Sequence, residues 1–225
     1  MQDSDVLGHI EQLGILPVVE IPRTVDALPL AEALLGAGLS CVEVTFRTPA
    51  AAEAISLIHD QLPELLLGAG TVTTAEQVEL AAAAGASFLV SPGLDRQIVR
   101  RGARRGLTVI PGICTPTEVQ AAIACDLGVV KFFPAEPMGG VAVLRALAGP
   151  FPGLRYIPTG GIGPSNLGAY LGLPQVLACG GSWMVKPELL AAGAYGRIAE
   201  LAREALQLVA LARRGQPSLA VPRME

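Results

Sequence analysis

Hydrophobic positions along this chain follow two alternating rhythms. Short apolar runs with strand character recur roughly every 20 to 27 residues, and Ala/Leu-rich stretches with helical periodicity lie between them. The pattern predicts eight strands: Ile15-Val19, Ser40-Thr45, Leu65-Ala69, Phe88-Ser91, Thr108-Pro111, Gly128-Phe132, Arg155-Pro158 and Val176-Cys179. Predicted helices include Asp26-Leu35 behind a Thr24 cap, Pro49-Ile58, Ala75-Ala84, Thr117-Ala124, Val141-Leu147 and Pro187-Leu211, with Gly or Pro at most of the stops. A further short helix, about Asp3-Leu13, leads into the first strand. Apolar strands alternating with helices imply an α/β fold with a parallel sheet covered by helices, and closure into a (β/α)8 TIM barrel removes every exposed edge. An open doubly wound sheet is the alternative. It is disfavoured because the turn after the first strand reads Glu20-Ile-Pro-Arg-Thr, without the Gly-x-Gly-x-x-Gly of a dinucleotide binder. The expected organisation is a single barrel domain over residues 1–214 and a flexible, Pro-containing tail at 215–225.

Composition narrows the function. Of 225 residues, 51% are hydrophobic and 16% charged, which excludes a disordered chain. The net charge is −4 and no basic run exceeds an Arg pair, so nucleic acid is not an expected partner. Every apolar run is cut well short of the roughly 20 residues that span a bilayer, so no membrane association is expected. The acidic start Met1-Gln-Asp-Ser-Asp-Val lacks the features of a secretory signal, and a cytoplasmic location is expected. Cys41, Cys114, Cys125 and Cys179 are too scattered for a disulfide framework or structural zinc and read as small buried hydrophobes. The only histidines, His9 and His59, fall on predicted helices away from strand ends, which argues against a metal site and against a Ser-His-Asp or Cys-His hydrolase. No cofactor is expected.

In a barrel, chemistry sits at the C-terminal ends of the strands. Alternation along Cys41-Val-Glu-Val-Thr-Phe-Arg47 puts Cys41, Glu43, Thr45 and Arg47 on one face, so Glu43 should point inward. A buried carboxylate is costly unless it is paired or used. Arg47 suits a substrate carboxylate, although a plain Glu43–Arg47 ion pair is the simpler reading. Fourteen of the sixteen basic residues are arginine, so the two lysines stand out. Lys131 lies in the apolar run Gly128-Val-Val-Lys-Phe-Phe-Pro-Ala-Glu136, where burial favours the neutral amine that Schiff-base chemistry needs. The plainer reading is a lysine reaching solvent or pairing with Glu136. Lys186, just before Pro187, reads as a surface charge. Glycine-rich strand ends at Gly68-Ala-Gly-Thr-Val, Pro158-Thr-Gly-Gly-Ile and Cys179-Gly-Gly-Ser offer backbone N–H groups, and the last two lie where barrels often hold phosphate.

Taken in order, these motifs resemble the KDPG/KHG aldolase family of class I aldolases. The matching segments are Ile15-Leu-Pro-Val-Val, Val42-Glu-Val-Thr-Phe-Arg-Thr-Pro49, Gly68-Ala-Gly-Thr-Val72, Ser91-Pro-Gly93, Pro111-Gly112 with Thr115-Pro-Thr-Glu118, Lys131-Phe-Phe-Pro-Ala-Glu136, Pro158-Thr-Gly-Gly-Ile162 and Gly180-Gly-Ser-Trp-Met184. Phe46 and Cys179 depart from the family's usual aliphatic residues. The resemblance implies cleavage of 2-keto-3-deoxy-6-phosphogluconate to pyruvate and glyceraldehyde 3-phosphate in the Entner-Doudoroff pathway, with 4-hydroxy-2-oxoglutarate as a second substrate. It implies Lys131 as the Schiff-base lysine and Glu43 as general acid/base. Arg47 and Thr71 would contact the substrate carboxylate, Pro92 and Phe133 would line the pyruvate pocket beside Thr159, and Gly160, Gly161, Gly181 and Ser182 would hold phosphate. A homotrimer is implied as well. The rivals are the galactonate-specific aldolase, a sugar-phosphate epimerase, which the lack of strand-end His and paired Asp disfavours, and a non-catalytic sugar-phosphate-binding barrel.

Overall fold

The computed structural model describes residues 3–214, and the predicted tail at 215–225 lies outside them. The first half of the chain runs α1 (Asp3–Leu13), β1 (Ile15–Val19), a 3-10 turn (Thr24–Asp26), α2 (Ala27–Gly36), β2 (Cys41–Thr45), α3 (Ala51–Gln61), β3 (Leu66–Gly70), α4 (Ala75–Ala83), β4 (Phe88–Val90) and α5 (Arg96–Arg104). The second half runs β5 (Thr108–Ile110), β6 (Gly112–Ile113), α6 (Pro116–Ile123), β7 (Val129–Phe132), α7 (Gly140–Ala148), β8 (Arg155–Pro158), α8 (Leu167–Leu171), β9 (Cys179–Gly181), α9 (Pro187–Ala191) and α10 (Tyr195–Arg213).

Every ladder is parallel, giving a six-stranded sheet in the order β5-β4-β3-β2-β1-β9 and a three-stranded sheet β6-β7-β8. The sheets meet at two seams. Pro111 alone separates β5 from β6; it has no N–H to give, but its carbonyl accepts from Lys131 N at 2.8 Å. At the other seam, isolated bridges join Tyr156 to Val176 and Thr159 to Gly180. The result is a curled parallel sheet jacketed by helices.

Side-chain alternation sorts the core into two clusters. Outward positions such as Val42, Val44, Leu89, Val130 and Tyr156 pack under the helices. Inward positions Leu16, Cys41, Leu66, Phe88, Val90, Ile110, Val129 and Ile157 form a second cluster, which Val6 and Ile10 of α1 join. The amphipathic face of α1 therefore fills the end of the interior where the strands begin, leaving chemistry to the other end.

Several elements differ from the sequence expectation, each for a physical reason. Thr24 does not cap a helix: its hydroxyl donates to Glu53 at 2.8 Å, and it opens the 3-10 turn before α2. Helix α5 was not predicted, although Asp95 caps it by accepting from the Gln97 and Ile98 N–H groups. The long final helix is two helices, because Gly193 turns left-handed at φ +62° between α9 and α10. The last strand begins at Cys179, three residues later than the apolar run suggests, so the Gly180-Gly181 pair lies within the strand and not in a turn after it. Thr115-Pro-Thr-Glu118 is a helix start, with a reciprocal Thr115–Glu118 capping box and Pro116 in the first turn of α6.

Asp26 ties the start of α2 to the last helix. Its buried carboxylate accepts from Arg23 Nε at 2.9 Å, Arg23 Nη2 at 2.8 Å and the Tyr195 hydroxyl at 3.0 Å. The Arg23 hydrogen bonds hold this carboxyl below its ordinary value, against the effect of burial. Asp26→Ala should therefore lower the unfolding free energy by about 1–3 kcal/mol in urea titrations at neutral pH. A depressed carboxyl stabilises the fold above its unfolded value of about 3.9 and loses that contribution as pH falls through the lower folded value, so the gap to wild type should close there. Equal urea midpoints at neutral pH would remove Asp26 from the fold's supports.

Candidate active site

Two charged side chains meet inside the curled sheet. Glu43 points inward from β2 with Cys41 and Thr45, and Lys131 points inward from β7 one pleat beyond Val129. The register sets their height, with Glu43 beside Val18 of β1 and Gly68 of β3, and Lys131 beside Gly112 of β6 and Ile157 of β8. Lys131 Nζ stands 3.7 Å from Glu43 Oε1, and both residues are at most 5% exposed. That distance is too long for a direct hydrogen bond, and Glu43 Oε1 has no hydrogen-bond partner among the described residues. Burial raises the Glu43 carboxyl above its ordinary value, an effect that the nearby Lys131 and Arg47 cations oppose without cancelling. Phe133 lies over the amine, its ring centre 4.9 Å from Nζ.

Glycines make room for the pair. Gly68 and Gly70 share the inner face of β3, and a Cβ at Gly70 would overlap the Glu43 carboxylate while one at Gly68 would overlap the Phe88 ring. Their role is to be small, and not to offer N–H groups to a ligand as the sequence suggested.

Above the pair, at the strand ends, opens a cleft of about 530 Å³. Its wall includes Arg47, Phe133, Thr159, Gly160, Gly161, Gly181 and Ser182, seven of the residues that the sequence pointed to. Gly160 and Gly161 both take positive φ, at +101° and +78°. The Gly160 carbonyl accepts from Glu136 N at 3.0 Å and the Gly161 carbonyl from Asn166 Nδ2 at 3.0 Å, while neither N–H has a protein acceptor among the described residues. Gly181 has to lack a side chain because the Trp183 ring occupies the place of its Cβ. Thr71, in the left-handed region at φ +55°, and Pro92 stand at the ends of β3 and β4, outside the wall of this cleft.

Both simpler readings of the charged residues fail. Arg47 pairs loosely with Glu20 at 4.0 Å and not with Glu43. Glu136 accepts from the Tyr170 hydroxyl and not from Lys131; burial, then Glu136, pushes that phenol well up, so Tyr170 stays the donor. Lys186 is exposed as expected, but it also lines the cleft. Sequence reasoning missed Asn166, Glu20 and Trp183, whose partners are set by tertiary contact. It also missed the purpose of Gly68 and Gly70, for which the two-residue spacing within a strand was an available signal.

Comparison with known proteins follows the same lines. The family model for KDPG and KHG aldolase matches residues 6–201. The 2-dehydro-3-deoxy-phosphogluconate aldolase of Treponema pallidum is 48% identical over 204 residues, covering 91% of this chain and 97% of that protein. The crystal structure of KDPG aldolase from Legionella pneumophila, with pyruvate captured at low pH as a covalent carbinolamine intermediate, superposes with a TM-score of 0.86 at 38% identity, covering 91% of this chain and 98% of that one. The corresponding aldolase of Zymomonas mobilis with 3-phosphoglycerate gives 0.83 at 38% identity, covering 91% and 96%.

The space that Gly70 leaves for Glu43 can be tested directly. Gly70→Ala should lower stability by more than about 1 kcal/mol, because the carboxylate must be displaced from an enclosed site. Gly128→Ala, where no atom lies within 4 Å of the added carbon, should cost less. Thermal unfolding of the two variants separates these outcomes.

Proposed function

This chain belongs to the KDPG and KHG aldolase family, and on that premise we propose that it is a class I aldolase whose Schiff-base residue is Lys131. Its reaction is the cleavage of 2-keto-3-deoxy-6-phosphogluconate to pyruvate and glyceraldehyde 3-phosphate, with cleavage of 4-hydroxy-2-oxoglutarate as a second activity. The observation that carries this reading is the 3.7 Å approach of a buried amine to a buried carboxylate beneath an open cleft.

The chemistry follows from those groups. The neutral amine of Lys131 attacks the keto carbon, and loss of water from the carbinolamine leaves a protonated imine. Glu43 takes the proton of the C4 hydroxyl as the C3–C4 bond breaks; the bonding pair flows into the imine, giving the pyruvate enamine and the free aldehyde. Glu43 returns a proton to the enamine carbon, and water releases pyruvate from Lys131. No step calls for a metal, since the iminium is the electron sink. A carboxyl raised by burial suits both halves of this proton traffic.

Arg47 and Thr71 hold the substrate carboxylate, while Pro92 and Phe133 bound the pyruvate half beside Thr159. Gly160, Gly161, Gly181 and Ser182 hold the phosphate. Support for the last assignment comes from the two left-handed glycines, whose carbonyls are already engaged while their N–H groups are not. The same reading takes the two sheets as one closed (β/α)8 barrel through the Pro111 seam and the Thr159–Gly180 bridge, with three copies assembling in the cytoplasm.

Borohydride reduction in the presence of pyruvate, followed by peptide mapping, should leave a reduced adduct on Lys131 and none on Lys186; a folded enzyme without that adduct would overturn the proposal. Lys131→Ala should lose nearly all turnover, and Lys186→Ala should still trap pyruvate on Lys131. Glu43→Gln should slow turnover by about 10²–10⁴-fold while still forming the imine. Because Glu43 is raised, its base form disappears as pH falls through a value above the ordinary carboxylate range of about 4.3, so kcat/KM should drop earlier on the acid side than a free glutamate would cause. Glu43→Gln should abolish that limb.

A further inference from the structure

Five of the fourteen arginines fall between Arg96 and Arg105, on or just past α5. The helix buries Ile98, Val99 and Gly102, and spacing of four places Arg100 above Arg104 and Arg101 above Arg105 in two adjacent rows. These four arginines line a second cleft, of about 560 Å³, along the groove between α4 and α5. It shares no lining residue with the catalytic cleft. Among the described residues Glu79 of α4 is the only acidic one in its wall, accepting from Arg101 Nε at 2.6 Å and also from Arg105. Within the cleft wall, four positive charges against one negative leave an excess of +3, part of which Glu76 of α4 offsets through Arg101, on a protein whose net charge is −4.

The arrangement costs the free protein something, because like charges at i,i+4 repel and, among the described residues, no ion pair neutralises Arg100 or Arg104. An anion would reverse that cost. Glu79 holds two of the guanidinium groups in place, leaving each with further N–H donors, and the other two line the same space without an ion-pair partner among the described residues. Arginine forks match phosphate oxygens bidentately, which a set of lysines would not do. A monophosphate or a single carboxylate is too weakly charged to balance the excess, whereas a polyphosphate chain carries several charges within the reach of one helix face.

We propose that the α4–α5 cleft is a second ligand site, binding a compact polyphosphate anion such as the di- or triphosphate of a nucleotide or a short inorganic chain. The site lies on the outer helical layer, clear of the residues that carry the aldol reaction.

Calorimetric titration of the full chain with inorganic triphosphate, at about 0.1 M salt so that long-range attraction is screened, tests the proposal. One saturable site per chain is expected. R100Q/R104Q should weaken it at least about tenfold, with aldol turnover and thermal unfolding unchanged. The single variants R100Q and R104Q should each weaken it by less, which keeps the test intact if the double variant folds poorly. Adenosine triphosphate binding more tightly than the inorganic chain would add a nucleoside contact, and equal affinity would assign recognition to phosphate alone. The proposal fails if no saturable binding occurs, if S182A and not R100Q/R104Q removes it, or if a duplex oligonucleotide displaces triphosphate at lower concentration.

Discussion

Enclosing an amine and a carboxylate in one small interior is the constraint that organises this molecule. Neither charge is tolerable there alone, because a buried ion loses several kcal/mol of hydration, and removal of either partner would strand the other. The two must therefore arrive at the same height from strands that are distant in sequence. Parallel register achieves this: β2 is fixed between β1 and β3, and β7 between β6 and β8, so the meeting of Glu43 and Lys131 is set by backbone ladders and not by flexible side chains. Space for the pair is then created by omission, with Gly70 cleared for the Glu43 carboxylate and Gly68 cleared for Phe88 beneath it. A site built on strands in this way holds its geometry more tightly than one built on loops.

The polar and apolar ends of the interior follow from the same alternation. On β2 and β7 the first inward residues, Cys41 and Val129, join α1 in a sealed apolar cluster, whereas Glu43 and Lys131 follow one pleat later and Thr45 two. One strand thus serves stability at its start and chemistry at its end, with the outer face always given to helix packing. The glycine pair after β8 continues this division, since its engaged carbonyls are fixed by Glu136 and Asn166 while its N–H groups stay uncommitted.

Much of this was legible in the sequence, and the reasons for the gaps are specific. Period-two alternation was enough to face Glu43 inward with Cys41, and the rarity of lysine was enough to single out Lys131. Two of the three glycine-rich strand ends, Gly160-Gly161 and Gly180-Gly181, line the cleft, whereas Gly68 and Gly70 do not. The missed features are those whose cause lies elsewhere in the chain. Val176 to Ala178 look like a strand by hydropathy, yet only Val176 bridges to Tyr156 and the ladder to β1 starts at Cys179. The polar partners Glu20 for Arg47 and Tyr170 for Glu136 depend on tertiary approach, which no local pattern encodes. Helix α5 was overlooked because its apolar positions are few, although the cap at Asp95 marks its start.

The plug formed by Val6 and Ile10 of α1 bears on the order of events in the proposed reaction. With the far end of the interior filled by α1, the cleft opens at the strand ends, where Phe133, two residues beyond Lys131, forms part of its wall. In the proposed reaction the keto-acid half stays on that lysine until its imine is hydrolysed, so the aldehyde would depart before pyruvate. Run backward, the keto acid has to be loaded first and the aldehyde second. In that scheme the covalent tether sets the order, and the α1 plug adds that both products would share the exit at the strand ends.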